Sequence, residues 1–342
     1  MFPMQHALRA WLRRTLFLFS FLLISCAAFC QSDYEVEPEL LARQRVFPAV
    51  GPGLQAVACG PEGRYYVLTA LSRAVSVYDS TGKPIGQVPE HLRLKAPEAI
   101  VSGVSLDADD AGRLVVADAG ANAVKVYAAD GSLVVSFNVA QPVSVALLTS
   151  GEIAVTSQSS DRLVSVYDSS GKLVRAFGEL ADLSDRPDLN HLVNVGRLGR
   201  DTTANLYVAF EYFPEPTVRK YDPDGSAILE LSLGTLDFRP AAQAARREIA
   251  REEPGGELSP HQIITGMGID RVTGEVWLSF GSLLMHFDKD GNRLESYRTY
   301  TPDGARLEAT TILVEPNRLL LGQDPLGVYE FDRPDKPDKS VH

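Results

Sequence analysis

A chain of 342 residues is long enough for two or three domains, and its formal net charge of −11 argues against nucleic acid or anionic lipid as the main partner, because phosphate recognition needs a basic footprint. The first thirty residues carry Arg9, Arg13 and Arg14 and no acid, so the remainder is more acidic still. Its three cysteines, Cys26, Cys30 and Cys59, have no metal-type spacing.

Residues 1–30 read as an export signal and are set apart from the fold. A basic region with Arg9, Arg13 and Arg14 precedes the apolar run Leu16 to Ile24, and small residues follow. The apolar stretch is too short to span a bilayer, which takes roughly 20 residues. Two processing routes stay open. Leu23-Ile24-Ser25-Cys26 resembles a bacterial lipobox, which lipidates Cys26 and tethers the mature chain to a membrane; Ala28-Phe29-Cys30 suits an ordinary signal peptidase and releases a soluble periplasmic or extracellular protein. Arg13 to Phe17 also resembles a twin-arginine motif, although so apolar a segment favours the general secretory route. Cys59 lies in an apolar strand as a small core residue, and a Cys30 to Cys59 disulfide requires cleavage ahead of Cys26.

After a polar linker at 31–39, Leu40 to Pro48 reads as a single strand standing alone ahead of the first repeat. The repeat itself is clearest at Leu163 to Phe177 (LVSVYDSSGKLVRAF): a strand ending in an aromatic, an Asp-x-x-Gly turn, and a second strand. Copies occur at Ala74 to Lys83, Val124 to Phe137, Val218 to Leu231, Leu284 to Tyr297 and, truncated, Val328 to Asp332. A period of roughly 40–50 residues points to one closed array in place of several domains. Short alternating strands broken by Gly and Asp turns place six blades at Leu54 to Val88, Ile100 to Phe137, Val143 to Phe177, Leu192 to Leu233, Ile263 to Tyr297 and Thr311 to Phe331.

Gly103 to Phe137 (GVSLDADDAGRLVVADAGANAVKVYAADGSLVVSF) resembles an NHL repeat, with Asp118 and Asn122 at the family's Asp and Asn positions. The resemblance implies that these two order the turn between the second and third strands. In the third blade Ser157 stands where the Asp is expected, and later blades depart further. The fold expected is all-β, a single six-bladed β-propeller with one short helical insertion. Its last blade lacks a fourth strand, and Leu40 to Pro48 supplies it beside Val328 to Phe331, which removes two open sheet edges. The tail at 333–342 is Pro-rich and charged and reads as disordered.

Propeller topology puts the loops joining second to third strands, and those joining blade to blade, on one face. Three departures from the repeat fall there: Gly178 to His191, the hairpin Glu211 to Pro216 (EYFPEP), and Gly234 to His261 with a helix expected over Pro240 to Glu253. The helix has an Ala and Ile249 stripe to pack with, and its mixed charges suit a solvated face. His191, Tyr212, Phe213, Arg239 and His261 are therefore the candidate contacts of a non-enzymatic binding or scaffold module taking a protein, peptide or glycan in the cell envelope, with no cofactor and with the membrane involved only through a lipid anchor. The alternative is a metal-dependent hydrolase or lyase. His91, His191 and His261 each precede an inner strand, a placement resembling the zinc site of peptidyl-amidating lyases, and a lactonase-like calcium set would draw on Glu98, Asn194 and Asp118. No Gly-rich phosphate loop, Gly-x-Ser-x-Gly elbow or Cys-His pair is present.

Overall fold

The computed structural model describes residues 37–91, 96–233, 238–251 and 261–334, so the export segment with Cys26 and Cys30, and the tail beyond 334, lie outside the described residues. Two short strands come first, β1 (Glu39–Leu41) and β2 (Gln44–Val46). Blade 1 contains β3 (Leu54–Cys59), β4 (Tyr65–Thr69), β5 (Val75–Tyr78) and β6 (Pro84–Val88); blade 2 contains β7 (Gly103–Ala108), β8 (Leu114–Asp118), β9 (Ala123–Tyr127) and β10 (Leu133–Asn138). Blade 3 holds β11 (Pro142–Leu147), β12 (Ile153–Ser157), β13 (Val164–Tyr167) and β14 (Leu173–Phe177), and blade 4 holds β15 (Gly196–Arg200), β16 (Leu206–Phe210), β17 (Thr217–Tyr221) and β18 (Ala227–Ser232). Blade 5 is β19 (Gly266–Ile269), β20 (Val276–Phe280), β21 (Leu283–Phe287) and β22 (Arg293–Tyr300); blade 6 is β23 (Thr311–Val314), β24 (Arg318–Gln323) and β25 (Gly327–Asp332). Each blade is an antiparallel sheet in sequence order. The architecture is the all-β six-bladed propeller that the repeats specify.

Sequence pattern follows position within a blade. Second and third strands such as β8 (LVVAD) and β9 (AVKVY) are buried at every residue, because neighbouring blades cover both faces of the sheet. The outer strand β10 (LVVSFN) alternates between half-buried and exposed, as a strand does with one face toward the core. The Asp-x-x-Gly turn also has a local cause. Asp168 Oδ1 accepts the amides of Ser170 at 2.9 Å and Lys172 at 3.0 Å, and Gly171 adopts φ 83°, which favours glycine.

That turn is also where blades meet. Phe137, on the outer strand of blade 2, packs against Tyr167 of blade 3 at 4.9 Å between ring centroids and lies over Gly171, where a Cβ would come within 2.5 Å of the ring. Phe177 repeats the arrangement one blade on, with Tyr221 at 5.1 Å and Gly225 beneath it. At the ring closure the same part is played by Phe47, from the amino-terminal segment. Its ring lies 4.9 Å from Tyr78, 5.2 Å from Tyr65 and directly above Gly82.

The closure therefore forms as expected, in a more elaborate form. Leu40 to Pro48 is not one strand but two. β1 runs parallel to β22 as a fifth strand of blade 5, and β2 pairs antiparallel with β25 to complete blade 6. Buried Ala42 sits at the crossing between them. Two further expectations are corrected. Among the described residues there are two α-helices, α1 (Pro187–Val193) and α2 (Arg239–Arg251); α1 was not foreseen although Pro187 opens it, as proline does in a first turn. Arg333, expected in the tail, belongs to the fold: it is 2% exposed and pairs with Asp270 at 2.5 Å and with Glu275.

Candidate functional site

The first strands of the six blades, β3, β7, β11, β15, β19 and β23, surround a central channel of about 380 Å³. On the side of blades 4 to 6 isoleucine side chains close over the glycine backbone of the neighbouring inner strand. A Cβ on Gly199 would meet Ile269 at 2.5 Å, and one on Gly268 would meet Ile312 at 2.5 Å, so these inner strands can stand this close only with glycine at those positions.

Charge is concentrated at the two ends. At the end where first strands turn into second strands, Asp107 of blade 2 accepts from Arg200 Nε of blade 4 at 2.9 Å and from Arg271 Nη2 of blade 5 at 2.5 Å. The amides of Leu147 and Ala108 complete its coordination at 2.9 and 2.8 Å, while both guanidinium groups also reach Ala108 O. Burial alone would raise the Asp107 carboxyl, but the Arg271 and Arg200 charges outweigh it and hold it below the ordinary value. Four consecutive blades, 2 to 5, thus meet at one carboxylate, three of them through charged groups.

At the opposite end Arg197 of β15 lies 2.8 Å from Glu211 through Nε and donates through Nη1 to Thr310 O, across the channel on blade 6, at 2.9 Å. Glu211 accepts from Gln262 Nε2 at 2.9 Å, and its backbone carbonyl takes the Ile263 amide at 2.7 Å. Tyr212 follows on the channel wall. Burial, with Glu211 next to it, raises the Tyr212 phenol above its ordinary value.

This is the end on which the three irregular segments converge. Leu189 and Val193 of α1, Ile249 of α2 and Tyr212 of the hairpin form a single apolar cluster. Helix α2 buries Ala242, Ala245 and Ile249 and is further held by Arg246 pairing with Glu215 at 2.5 Å and by Glu248 accepting the His261 amide at 3.2 Å. Helix α1 is anchored by Asn190, whose Oδ1 accepts the amides of Leu183 and Ser184, and by Asn194, whose side chain bonds both polar groups of the Ala181 backbone.

The five candidate contacts do not form one constellation. Tyr212 alone lines the channel. Phe213 is a correction: it is buried and stacked on Phe210 at 4.1 Å, because the hairpin turns this ring into the core between blades 3 and 4, where it cannot meet a ligand. His191 sits outside the channel, between two shallow grooves along α1, with Nδ1 2.8 Å from Gln158 O. Arg239 lines a separate groove with Phe238 and Arg246, and His261 is exposed.

For the metal alternative, His91 and His261 are both exposed and His191 is engaged with Gln158. Among the described residues no group of three or more His, Cys, Asp or Glu side chains is placed to hold a metal ion. The lactonase-like set is occupied with structure. Asn194 is spent on Ala181, and Asp118 accepts the Val101, Ser102 and Ala121 amides and pairs with buried Lys125 at 2.9 Å. Burial would raise Asp118, and those donors hold it low instead. Asn122 Oδ1 takes the Gln141 amide at 2.9 Å, and Ser157 Oγ in blade 3 accepts the Ser159 amide at 3.0 Å, a smaller version of the same turn. Asp107, Arg197, Arg200 and Arg271 were missed from the sequence. The usable signal for three of them was charge inside a first strand, Asp107 in GVSLDA at 103–108 and the two arginines of GRLGR at 196–200, whereas Arg271 lies in the turn after its strand.

No family model matches the chain, and no curated protein matches it. Similar solved structures include a streptogramin B lyase (12% identity, TM-score 0.55, covering 86% of this chain and 87% of that one). A catalytically inactive virginiamycin B lyase from Staphylococcus aureus, solved with quinupristin, aligns at 11% identity and TM-score 0.54 over 85% of this chain and 98% of that one. The WD40 repeats of RRP9 align at 13% identity and TM-score 0.56 over 86% and 99%. Likeness at this identity establishes the propeller fold, which enzymes and repeat proteins without that chemistry share.

Proposed function

We propose that this chain is an exported, non-enzymatic binding module whose ligand enters the channel at the end walled by Arg197, Glu211 and Tyr212. One observation carries the reading. Among the described residues, parts of all three segments that break the repeat pack together at Tyr212, so they are built around this opening. Tyr212 belongs to both the apolar cluster and the channel wall. Aromatic and Arg side chains at a concave, partly desolvated site are the residues that dominate binding energy. His191, Arg239 and His261 then belong to the outer rim, where they would contact only a ligand larger than the channel. A peptide suits the opening best, because one cation and one anion, Arg197 and Glu211, stand beside Tyr212 there. The NHL-like repeat pattern and a lipid anchor at Cys26, or release into the periplasm or medium, complete the proposal.

The test is selection of a random peptide library on the immobilised protein, followed by binding to Tyr212→Ala and to the opposite-end variant Val272→Ser. Enriched peptides should lose at least about tenfold in affinity with the first and nothing with the second. Equal binding to wild type and Tyr212→Ala would put the site elsewhere.

A further inference from the structure

The channel carries its surplus charge at one end. Arg197 and Glu211 balance each other at the mouth, 2.8 Å apart, whereas at the far end two guanidinium groups, Arg200 and Arg271, share the single carboxylate of Asp107. Asp107 is filled by its four donors. The arginines are not spent. Each guanidinium has five N–H donors, and Arg200 uses only Nε and Nη2 while Arg271 uses Nη1 and Nη2. Among the described residues Arg200 Nη1 and Arg271 Nε make no hydrogen bond, although the Arg200 side chain is 9% exposed and both residues line the channel. Glu315, a carboxylate that shares Cys59 as a neighbour with Arg271, is already held by Arg318 at 2.5 Å and by the Tyr65 hydroxyl at 2.7 Å. One positive charge and a set of unused donors therefore face into about 380 Å³. The exposed wall around them is mainly polar. Ser105 stands two residues before Asp107 on β7, on the same face of the strand and about 7 Å along the channel, with its Oγ 3.4 Å from Ser144 Oγ of blade 3.

We infer that the Asp107 end of the channel binds a singly charged, hydroxyl-rich acid of monosaccharide size, with Arg200 and Arg271 taking its carboxylate and Ser105 and Ser144 its hydroxyls. One surplus positive charge suits one carboxylate, and the planar guanidinium fork matches its two oxygens. A serine hydroxyl both donates and accepts, as a sugar hydroxyl does, so a ligand rich in such groups replaces the water that the polar wall gives up. The volume lies at the small end of ligand sites, which admits one sugar ring and no folded partner. The site lies at the opposite end of the channel from Tyr212 and goes beyond the peptide reading of the mouth; either can fail without the other.

Isothermal titration tests this with D-glucuronate, its carboxamide D-glucuronamide, and cyclohexanecarboxylate, which keeps the charge and the ring but has no hydroxyls. Glucuronate should bind at least about tenfold tighter than the amide, the worth of one charge-assisted hydrogen bond, and several-fold tighter than cyclohexanecarboxylate. Arg271→Gln should erase the preference for acid over amide, and Arg271→Lys should restore part of it. Asp107→Asn removes the competing carboxylate and should tighten glucuronate several-fold, an effect that a cluster serving only the fold would not produce. Urea midpoints verify that the variants fold; if Arg271→Gln does not, the wild-type comparison and Arg271→Lys decide. Methyl glucuronoside binding as tightly as glucuronate identifies the end of an acidic glycan as the source of the acid, and weaker binding identifies a free sugar acid. Acid and amide binding alike, or cyclohexanecarboxylate binding tighter than glucuronate, would overturn the inference. So would an acid preference unchanged in Arg271→Gln, a folded Asp107→Asn with no gain in affinity, or no binding by any probe.

Discussion

Phe47 is the residue on which ring closure can be tested most directly. It is 2% exposed and packs on Tyr65 and Tyr78 above Gly82, reproducing from the amino-terminal segment the contact that Phe137 and Phe177 make from within the repeat. Phe47→Ala leaves β2 free to pair with β25 but removes the ring that locks blade 6 to blade 1. Truncating a buried Phe costs about 3–5 kcal/mol, and loss of two tilted ring contacts places the cost toward the upper end. At about 2 °C per kcal/mol for a domain of this size, the melting temperature should fall by roughly 6–10 °C, with a matching drop in the urea midpoint. Arg43→Ala is the control. It removes an exposed ion pair with Asp332 on the same segment, worth at most about 1 kcal/mol. The assay is urea unfolding followed by tryptophan fluorescence and circular dichroism, with coincident transitions required. If Phe47→Ala unfolds within experimental error of Arg43→Ala, the amino-terminal segment is not a structural part of the ring.

Asp107→Asn leaves Arg200 and Arg271 facing a neutral acceptor and should cost about 3–5 kcal/mol at neutral pH. The Asp107 carboxyl is depressed in the folded state, so its stabilisation is present above the unfolded value near 4 and is lost as pH falls through the folded value. The gap between wild type and Asp107→Asn, measured by urea titration at several pH values, should therefore be constant from about pH 5 to 8 and narrow below about pH 4; a constant gap down to pH 3 would mean that the charge is not what holds the three blades. Ile249→Asp should undock α2 from Leu189, Val193 and Tyr212, speeding tryptic cleavage at Arg246 and Arg247 by at least about tenfold through local opening while the urea midpoint of the ring stays put. A midpoint that falls as far as in Phe47→Ala would make the insertion part of the core.

The propeller was legible because it is made of local rules. The Asp168 turn, the double-sided burial of β8 and the alternation of β10 are each encoded within a few residues, and repetition multiplies the signal. Closure was legible from counting strands, yet the division of Leu40 to Pro48 between two blades was not, because it depends on β22 being extended to Tyr300 and so offering an edge to β1. The candidate site was half legible. Its location followed from where the repeat fails, whereas its residues did not. Tyr212 and Phe213 are adjacent and chemically alike, and which of them faces the channel is decided by the stacking of Phe213 on Phe210, a tertiary contact with no local trace. Arg197 and Arg200 on β15 and Arg271 in the turn after β19 are far apart in sequence until the ring closes and brings them to one axis.

The two ends of the channel divide the work of the charges. At the Asp107 end, every donor and acceptor converges on one carboxylate, including two guanidinium groups from blades far apart in sequence, and the product is a fixed plug. At the Arg197 end the contacts are spread: Glu211 is shared between Arg197, 2.8 Å from its Nε, and Gln262, while Arg197 also reaches across to a backbone carbonyl. A buried network that serves only to hold a fold is expected to be satisfied throughout, since each unmatched polar group costs stability. The chain achieves that satisfaction at Asp107 and at Asp118. The Arg197 to Glu211 pair instead lies beside Tyr212, at the opening that the helices and the hairpin surround.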